Sequence, residues 1–381
     1  MLKSAAQHYN HCKQVMTKMT KSKNFMNVKS IQFDLLLNGK GCVNFDSSEQ
    51  LDFLTSVGIV KYGEKSFYNG GKALSNVLFS KKNFRTTEDG KIEYHVKVSS
   101  ECLRNAIFKN GMPAQSPTIM GLPSVLYRAI AHPDSLLRGY MYTEAGSSAI
   151  RKKSPLYITD AEEMGEWRTS IATDFHSRSG EKESSKGKDA DDAKDTSIYK
   201  IENVGEATYK CSGGIDIQEL AFISADPVYD RMAINVDGGV NETIYINALK
   251  ENFPNATPEF KYYYLKNAYT ADEWAERGIL LDNETVNQLI KYVLKNILNI
   301  SIVRRNAFLK ADKLTLKVFT NEGVETFDVN LENVDTLSFD FQSNYLEADF
   351  EKIKANKEQI EKLKANEKEN KKKENKKSSN K

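Results

Sequence analysis

The chain has 381 residues, 40% of them hydrophobic and 10% aromatic, which is apolar material enough for one large core or two modest ones and excludes disorder throughout or a collagen-like rod. Charged residues make up 28%, with 54 Lys and Arg against 52 Asp and Glu, so the net charge of +2 names no partner. Its distribution says more: six Lys and no acid fall in residues 1–30, twelve Lys and six Glu in 351–381, and residues 31–350 are left at −10. A polyanion bound by this body would be held by local basic patches, not by its overall field.

Cys12, Cys42, Cys102 and Cys211 lie far apart without a CxxC pair, which suits free thiols in a reducing compartment and no zinc site or disulfide framework. No apolar run approaches the roughly 18 residues of a membrane span, and the N-terminus lacks the apolar block of a signal peptide. The expectation is a soluble cytoplasmic protein. Residues 1–26 are polar and basic and are expected to be a disordered leader, with Met26 available as a start.

Ile31, Phe33, Leu35 and Leu37 alternate with more polar neighbours and predict a half-buried strand, closed by Asn38-Gly39-Lys40-Gly41. From 45 to 90 the pattern weakens into a loop-rich insertion. Ile92, Tyr94, Val96 and Val98 predict a second strand with His95 on its polar face, and Ser99 or Ser100 caps a helix with Leu103, Ala106 and Ile107 inward and Arg104 outward. Pro123 opens a second helix that ends near His132-Pro133, and Arg138–Tyr142 resumes as a strand.

Between Phe175 and Ile198 apolar residues almost vanish, which predicts a flexible excursion. Ile215, Ile217, Leu220 and Phe222 predict a strand with a bulge at Glu219. Asp282 or Asn283 caps a helix with Val286, Leu289, Ile290, Val293, Leu294, Ile297 and Leu298 on its buried face. Leu314–Val318 and Phe327–Leu331 form a hairpin around Asn321-Glu322-Gly323. Residues 346–381 become a Lys/Glu/Asn tail, partly helical and disordered past 366. Interleaved strands and helices with polar insertions predict an α+β fold.

No Walker loop, GxSxG, HExxH or GxGxxG is present, and the five histidines fit no metal pattern. The expectation is a chain without metal, cofactor or catalytic residues. Arg138-Gly139-Tyr140 and Arg151-Lys152-Lys153, with Tyr142 beside them, carry the ingredients of a phosphate-contacting, base-stacking surface in an otherwise acidic body.

Several segments resemble one family. Ser30–Phe33 through Gly41–Asn44, Val98–Arg104 with Phe108, Leu137–Tyr140, Lys153–Leu156, Gly214–Leu220 with Phe222–Ser224, Asp230-Arg231 and Gly278–Leu281 resemble the Cas-seven family of CRISPR proteins, the backbone subunits of type I Cascade complexes, in an order closest to the type I-F variant. The resemblance spans about 27–330. It implies a modified RNA-recognition-motif (ferredoxin-like) palm over 27–345 with a finger insertion at 45–90 and a thumb at 165–212. It implies further that copies assemble head to tail along a CRISPR RNA and present it to a target DNA strand, alongside other Cascade subunits and a nuclease acting in trans or fused to a sister subunit. Membrane contact is not implied. The guide would be met by Lys40 and Asn44 after the first strand, by Arg104 on the first helix, and by Arg138, Tyr140, Arg151, Lys152 and Lys153. The alternative is an RNA-cleaving, type III-like subunit using Asp46.

Overall fold

The computed structural model describes residues 23–41, 43, 77–78, 80–108, 123–143, 149–181, 194–226, 232–236, 240–266, 275–304, 307–349 and 351–355, with 358 and 362. Among the described residues no helix is long and apolar enough to cross a membrane. The described elements begin with β1 (Lys23–Val28) and β2 (Ser30–Lys40), followed by β3 (Val77–Leu78), β4 (Lys82–Thr86), β5 (Ile92–Val98) and α1 (Ser100–Ile107). Residues 23–26, assigned to the leader by composition, are therefore part of the fold. Phe25 is buried and stacks on Phe327 and Phe339 at 5.3 and 5.4 Å. Ser99 caps α1 by accepting a hydrogen bond from the Cys102 amide, and Leu103, Ala106 and Ile107 are buried.

After α2 (Pro123–Ile130), Pro133 starts a further helix, α3 (Pro133–Arg138), which the sequence reading did not anticipate between the second helix and the strand expected at Arg138–Tyr142. His132 accepts at its N-cap and Pro133 supplies the fixed φ of a first helical turn. Short strands β6 (Tyr140–Tyr142), β7 (Ile150–Lys152), β8 (Leu156–Ile158) and β9 (Ala161–Glu163) lead to β10 (Ala172–Glu181), β11 (Lys194–Asn203) and β12 (Glu206–Ile215). Both ends of the predicted flexible excursion are strand, with β10 and β11 paired antiparallel from Ala172↔Asn203 to Glu181↔Lys194, and residues 182–193 lie outside the described residues. Backbone pairing supplies order that its polar sequence does not announce.

The strand predicted across Glu219 is likewise broken. β12 stops at Ile215, Asp216 caps α4 (Ile217–Ala221) by accepting from the Glu219 amide, and β13 (Phe222–Ser224) follows. An Asp in extended backbone ahead of Ile-Gln-Glu-Leu is an N-cap signal that period-2 counting overlooks. Then come α5 (Val240–Asn252), β14 (Phe260–Leu265), β15 (Glu276–Leu280), α6 (Asn283–Leu298), β16 (Ser301–Arg304), β17 (Ala307–Phe319), β18 (Val324–Val329), β19 (Leu337–Phe341) and β20 (Tyr345–Glu347).

The main sheet is antiparallel in the order β16-β17-β2-β12-β9-β5-β4, with β18 beside β17 and β8 also on β12. β4, inside the range read as a finger, is its edge strand. β2 is central because alternate residues Ile31, Phe33, Leu35 and Leu37 are all buried on one face. α6 contributes to the same core: Asp282 caps it, and Val286, Leu289, Ile290, Val293, Leu294 and Ile297 are fully buried, each worth about 1.5–3 kcal/mol of transfer free energy. A second antiparallel sheet runs β13-β15-β14-β20. His95, expected on a polar face, is buried and stacks on Trp167 at 3.9 Å.

Candidate nucleic-acid interface

The segment Arg138–Ser154 folds back on itself because Gly139 adopts φ 75°, where a Cβ would stand 2.7 Å from both the Lys152 carbonyl and the Ser154 nitrogen. β6 and β7 then pair with Tyr140 opposite Lys152 and Met141 opposite Arg151. Five of the residues singled out from the sequence, Arg138, Tyr140, Arg151, Lys152 and Lys153, are thereby gathered in one place. Arg104 joins them, but it does not point outward as its helical position suggested. Its guanidinium donates to the carbonyls of Leu156 and Arg138 at 2.7 Å and to Ser154 Oγ at 3.1 Å. Desolvation, with Arg138 nearby, lowers its pKa. The planar fork is a clamp between α1 and the β7–β8 connection.

Lys152 also faces inward, with a side chain only 2% exposed. Its Nζ donates to the carbonyls of Glu219 at 2.6 Å and Phe222 at 3.0 Å, and the Glu219 carboxylate lies 3.8 Å away. The ammonium sits against the carbonyl end of α4, where the helix dipole favours it. Burial pushes its pKa down and Glu219 opposes the shift. The Tyr140 hydroxyl donates to the Ala233 carbonyl at 2.7 Å, and burial raises its pKa well above the ordinary phenol value. Arg138 and Lys153 are exposed and Arg151 partly so; Arg138 also donates to Asn105 at 3.0 Å.

Lys40 is not part of this group. Leu156 pairs with Ile215, which pairs with Ile31, whereas Lys40 pairs with Glu206 at the other end of β12. Nine residues of strand separate Ile31 from Lys40, about 30 Å. Lys40 is exposed and lies 3.6 Å from the Glu206 carboxylate. Asn44 and Asp46 lie outside the described residues.

What the sequence reading missed is the outer face of the main sheet. Opposite the buried residues of β2 stand Gln32, Asp34, Leu36, Asn38 and Lys40. In register with them on β17 are Lys317, Thr315, Lys313, Lys310 and Phe308, and on β12 Gly214, Ser212, Lys210, Thr208 and Glu206. Lys310 and Lys313 share this face only because the pairing slips between Ala311 and Lys313, which is a bulge that re-phases the strand. Lys317 bonds Asp34 at 2.9 Å and Lys313 bonds Asp328 at 2.9 Å. Among the described residues Lys210 and Lys310 have no ion-pair partner. Tyr157, half exposed, lies over Gly214, where a Cβ would approach its ring to 2.5 Å. The result is a flat aromatic surface beside a row of lysines. Of this face the sequence reading had singled out only Lys40; Lys313 and Lys317, four residues apart on β17, were its other signal.

No curated protein matches the chain. Among solved structures, a “CRISPR RNA-guided surveillance complex” is similar at 10% identity with a TM-score of 0.34, covering 78% of this chain and 72% of that one. A “CRISPR RNA-guided surveillance complex, pre-nicking” is similar at 7% identity with a TM-score of 0.32, covering 78% and 80%. The family described as type I-Fv CRISPR-associated protein Cas7fv-like matches residues 27–345, which hold the main sheet, α1 to α6 and the lysine face, and the chain accordingly belongs to the type I-Fv Cas7-like family of CRISPR proteins.

Proposed function

We propose that the chain is a non-catalytic backbone subunit of a type I CRISPR effector in the cytoplasm of a prokaryote, and that the outer face of its main sheet carries the sugar-phosphate backbone of the guide RNA. The observation that carries this reading is the pair Lys210 and Lys310, free of ion-pair partners among the described residues, on a face that also holds Tyr157. Cations there meet phosphates and the ring offers a stacking surface, the combination that binds single strands without reading sequence. An RNA-recognition-motif (ferredoxin-like) palm is supported by β2, β9, β12 and β17, which lie in the order β17-β2-β12-β9 with helices between them in the chain. The β10–β11 hairpin is then the thumb. Copies join head to tail, a heterologous contact that does not close and whose length the guide sets. Target DNA pairs with the presented guide, and sister subunits and a nuclease complete the assembly.

The test is a salt titration of guide binding by the wild type and Lys210→Ala/Lys310→Ala. Loss of two phosphate contacts lowers the slope of log K against log salt by about 1.4 on any guide sequence. An unchanged slope would remove this face from the interface. In the same material, metal-dependent cleavage of matched RNA that Asp46→Ala abolishes would replace the non-catalytic reading with the nuclease one.

A further inference from the structure

Tyr157 is the middle residue of β8, and because Leu156 and Ile158 on either side of it are buried, its side chain is left on the outer face of the main sheet, 52% exposed. It pairs with Gly214 of β12, and Gln32 of β2 is next in the same row. A Cβ at Gly214 would stand 2.5, 2.6 and 2.7 Å from Cε1, Oη and Cζ of Tyr157, so the far end of the ring lies across the bare backbone of β12.

The neighbouring glycine is there for a different reason. At Gly213 a Cβ would run into the buried Phe33 ring and stand 2.5 Å from the Tyr157 carbonyl oxygen, so the core itself demands glycine. At Gly214 the three nearest atoms all belong to the tip of one exposed side chain. Alanine there would leave the core intact and give the strand a stiffer backbone; only the flat seat of the ring would be lost. Glycine inside a strand weakens it and marks a place where something approaches the backbone closely. Here that is an aromatic ring with one face toward the sheet. We propose that Gly214 is a positioning residue for nucleic-acid binding: by leaving room for Tyr157 to lie flat, it makes the outer face of the ring a platform on which one base of a bound single strand stacks, whatever its identity. The ligand rests on the sheet-face reading above. Lys210, which that reading uses for phosphate, is four residues along β12 from Gly214, about 13 Å, so ring and cation are separate contacts on one face.

The test uses the full chain freed of nucleic acid, with a short oligouridine and the same ribose-phosphate backbone without bases as probes. Gly214→Ala should lower oligouridine affinity by about 5- to 150-fold, the range that one base–aromatic stack carries, with the salt slope and the binding of the base-free backbone unchanged. Tyr157→Ala should lose as much and Tyr157→Phe nearly nothing. Gly214→Ala/Tyr157→Ala should lose no more than either single change, since the glycine acts through the ring. Wild-type oligouridine binding by Gly214→Ala, or a further loss in the double variant, would overturn the proposal. So would a loss of thermal stability in Gly214→Ala that Tyr157→Ala does not relieve, because it would place Gly214 in the core. Lys210→Ala/Lys310→Ala separates this proposal from the sheet-face reading. If its slope falls while Gly214→Ala binds normally, the positioning role fails alone. If its slope does not move while the Gly214 and Tyr157 losses coincide, the phosphate contacts fail and the platform stands. If Tyr157→Ala and the lysine variant both bind as the wild type does, the face carries no nucleic acid and both readings fall.

Discussion

At the scale of single residues, the same side-chain type takes opposite roles according to what its strand or helix makes it face. Arg104 and Lys210 are both cations next to a basic surface, yet one spends its donors on three protein oxygens and the other has no ion-pair partner among the described residues. Arg104→Lys should therefore cost about 2–4 kcal/mol of folding stability, because a single ammonium cannot satisfy acceptors arranged for a fork. Chemical denaturation measures it, with the salt slope of RNA binding unchanged; a normal stability with a reduced slope would return Arg104 to the interface. Asp34 gives a pH signature. Hydrogen bonds from Ser212 at 2.6 Å and Lys317 at 2.9 Å hold its carboxyl below the ordinary carboxylate value. A folded-state pKa below the unfolded value, about 3.9, contributes stability that is full above that pH and lost as pH falls through the folded value. Asp34→Asn should flatten the acid limb of Tm below about pH 5, and superimposable limbs would show that this carboxylate contributes nothing.

Among the elements, the β10–β11 hairpin is attached to the body by a buried ion pair. Glu202, at the end of β11, accepts from the Ser80 amide at 2.8 Å and from its hydroxyl, and takes Lys82 Nζ at 2.8 and 2.6 Å, with the Lys82 side chain fully buried. Breaking one side strands a charge, which costs about 3–5 kcal/mol. Glu202→Ala should accordingly expose the hairpin to proteolysis and lower stability, whereas Lys82→Met/Glu202→Leu should restore most of both. Equal sensitivity of the single and double variants would mean that the clasp acts through packing and not charge. None of this is visible in sequence. Lys82 and Glu202 are 120 residues apart, and each looks like an ordinary surface charge. The helix α5 was missed for a related reason: Tyr245, Ala248 and Leu249 are buried while Ile244 and Ile246 also pack on the core, so its apolar residues do not draw one clean stripe.

For the whole molecule, what was legible followed from local periodicity: the alternation of Ile31–Leu37, the stripe from Val286 to Ile297, and the Leu314–Val318 hairpin around Gly323 each name their own element. What was not legible depends on which distant strands meet. The lysine face exists only when β17 and β12 flank β2 and a bulge re-phases β17, and a basic run such as Arg151-Lys152-Lys153 looks exposed until the fold turns Lys152 inward. The placement of β2 also has a consequence for how the protein comes into being. Asp34 and its partner Lys317 are separated by 283 residues. On a ribosome adding about 5–20 residues per second, the first core strand leaves the tunnel and waits roughly 15–60 s before β17 exists to cover its second edge. During that interval Ile31, Phe33, Leu35 and Leu37 form an apolar strand with an open edge, the kind of template that recruits other nascent chains. Successive copies translated from one message pass through the same state close together, so the step most exposed to misassembly comes before the lysine face of the sheet is complete.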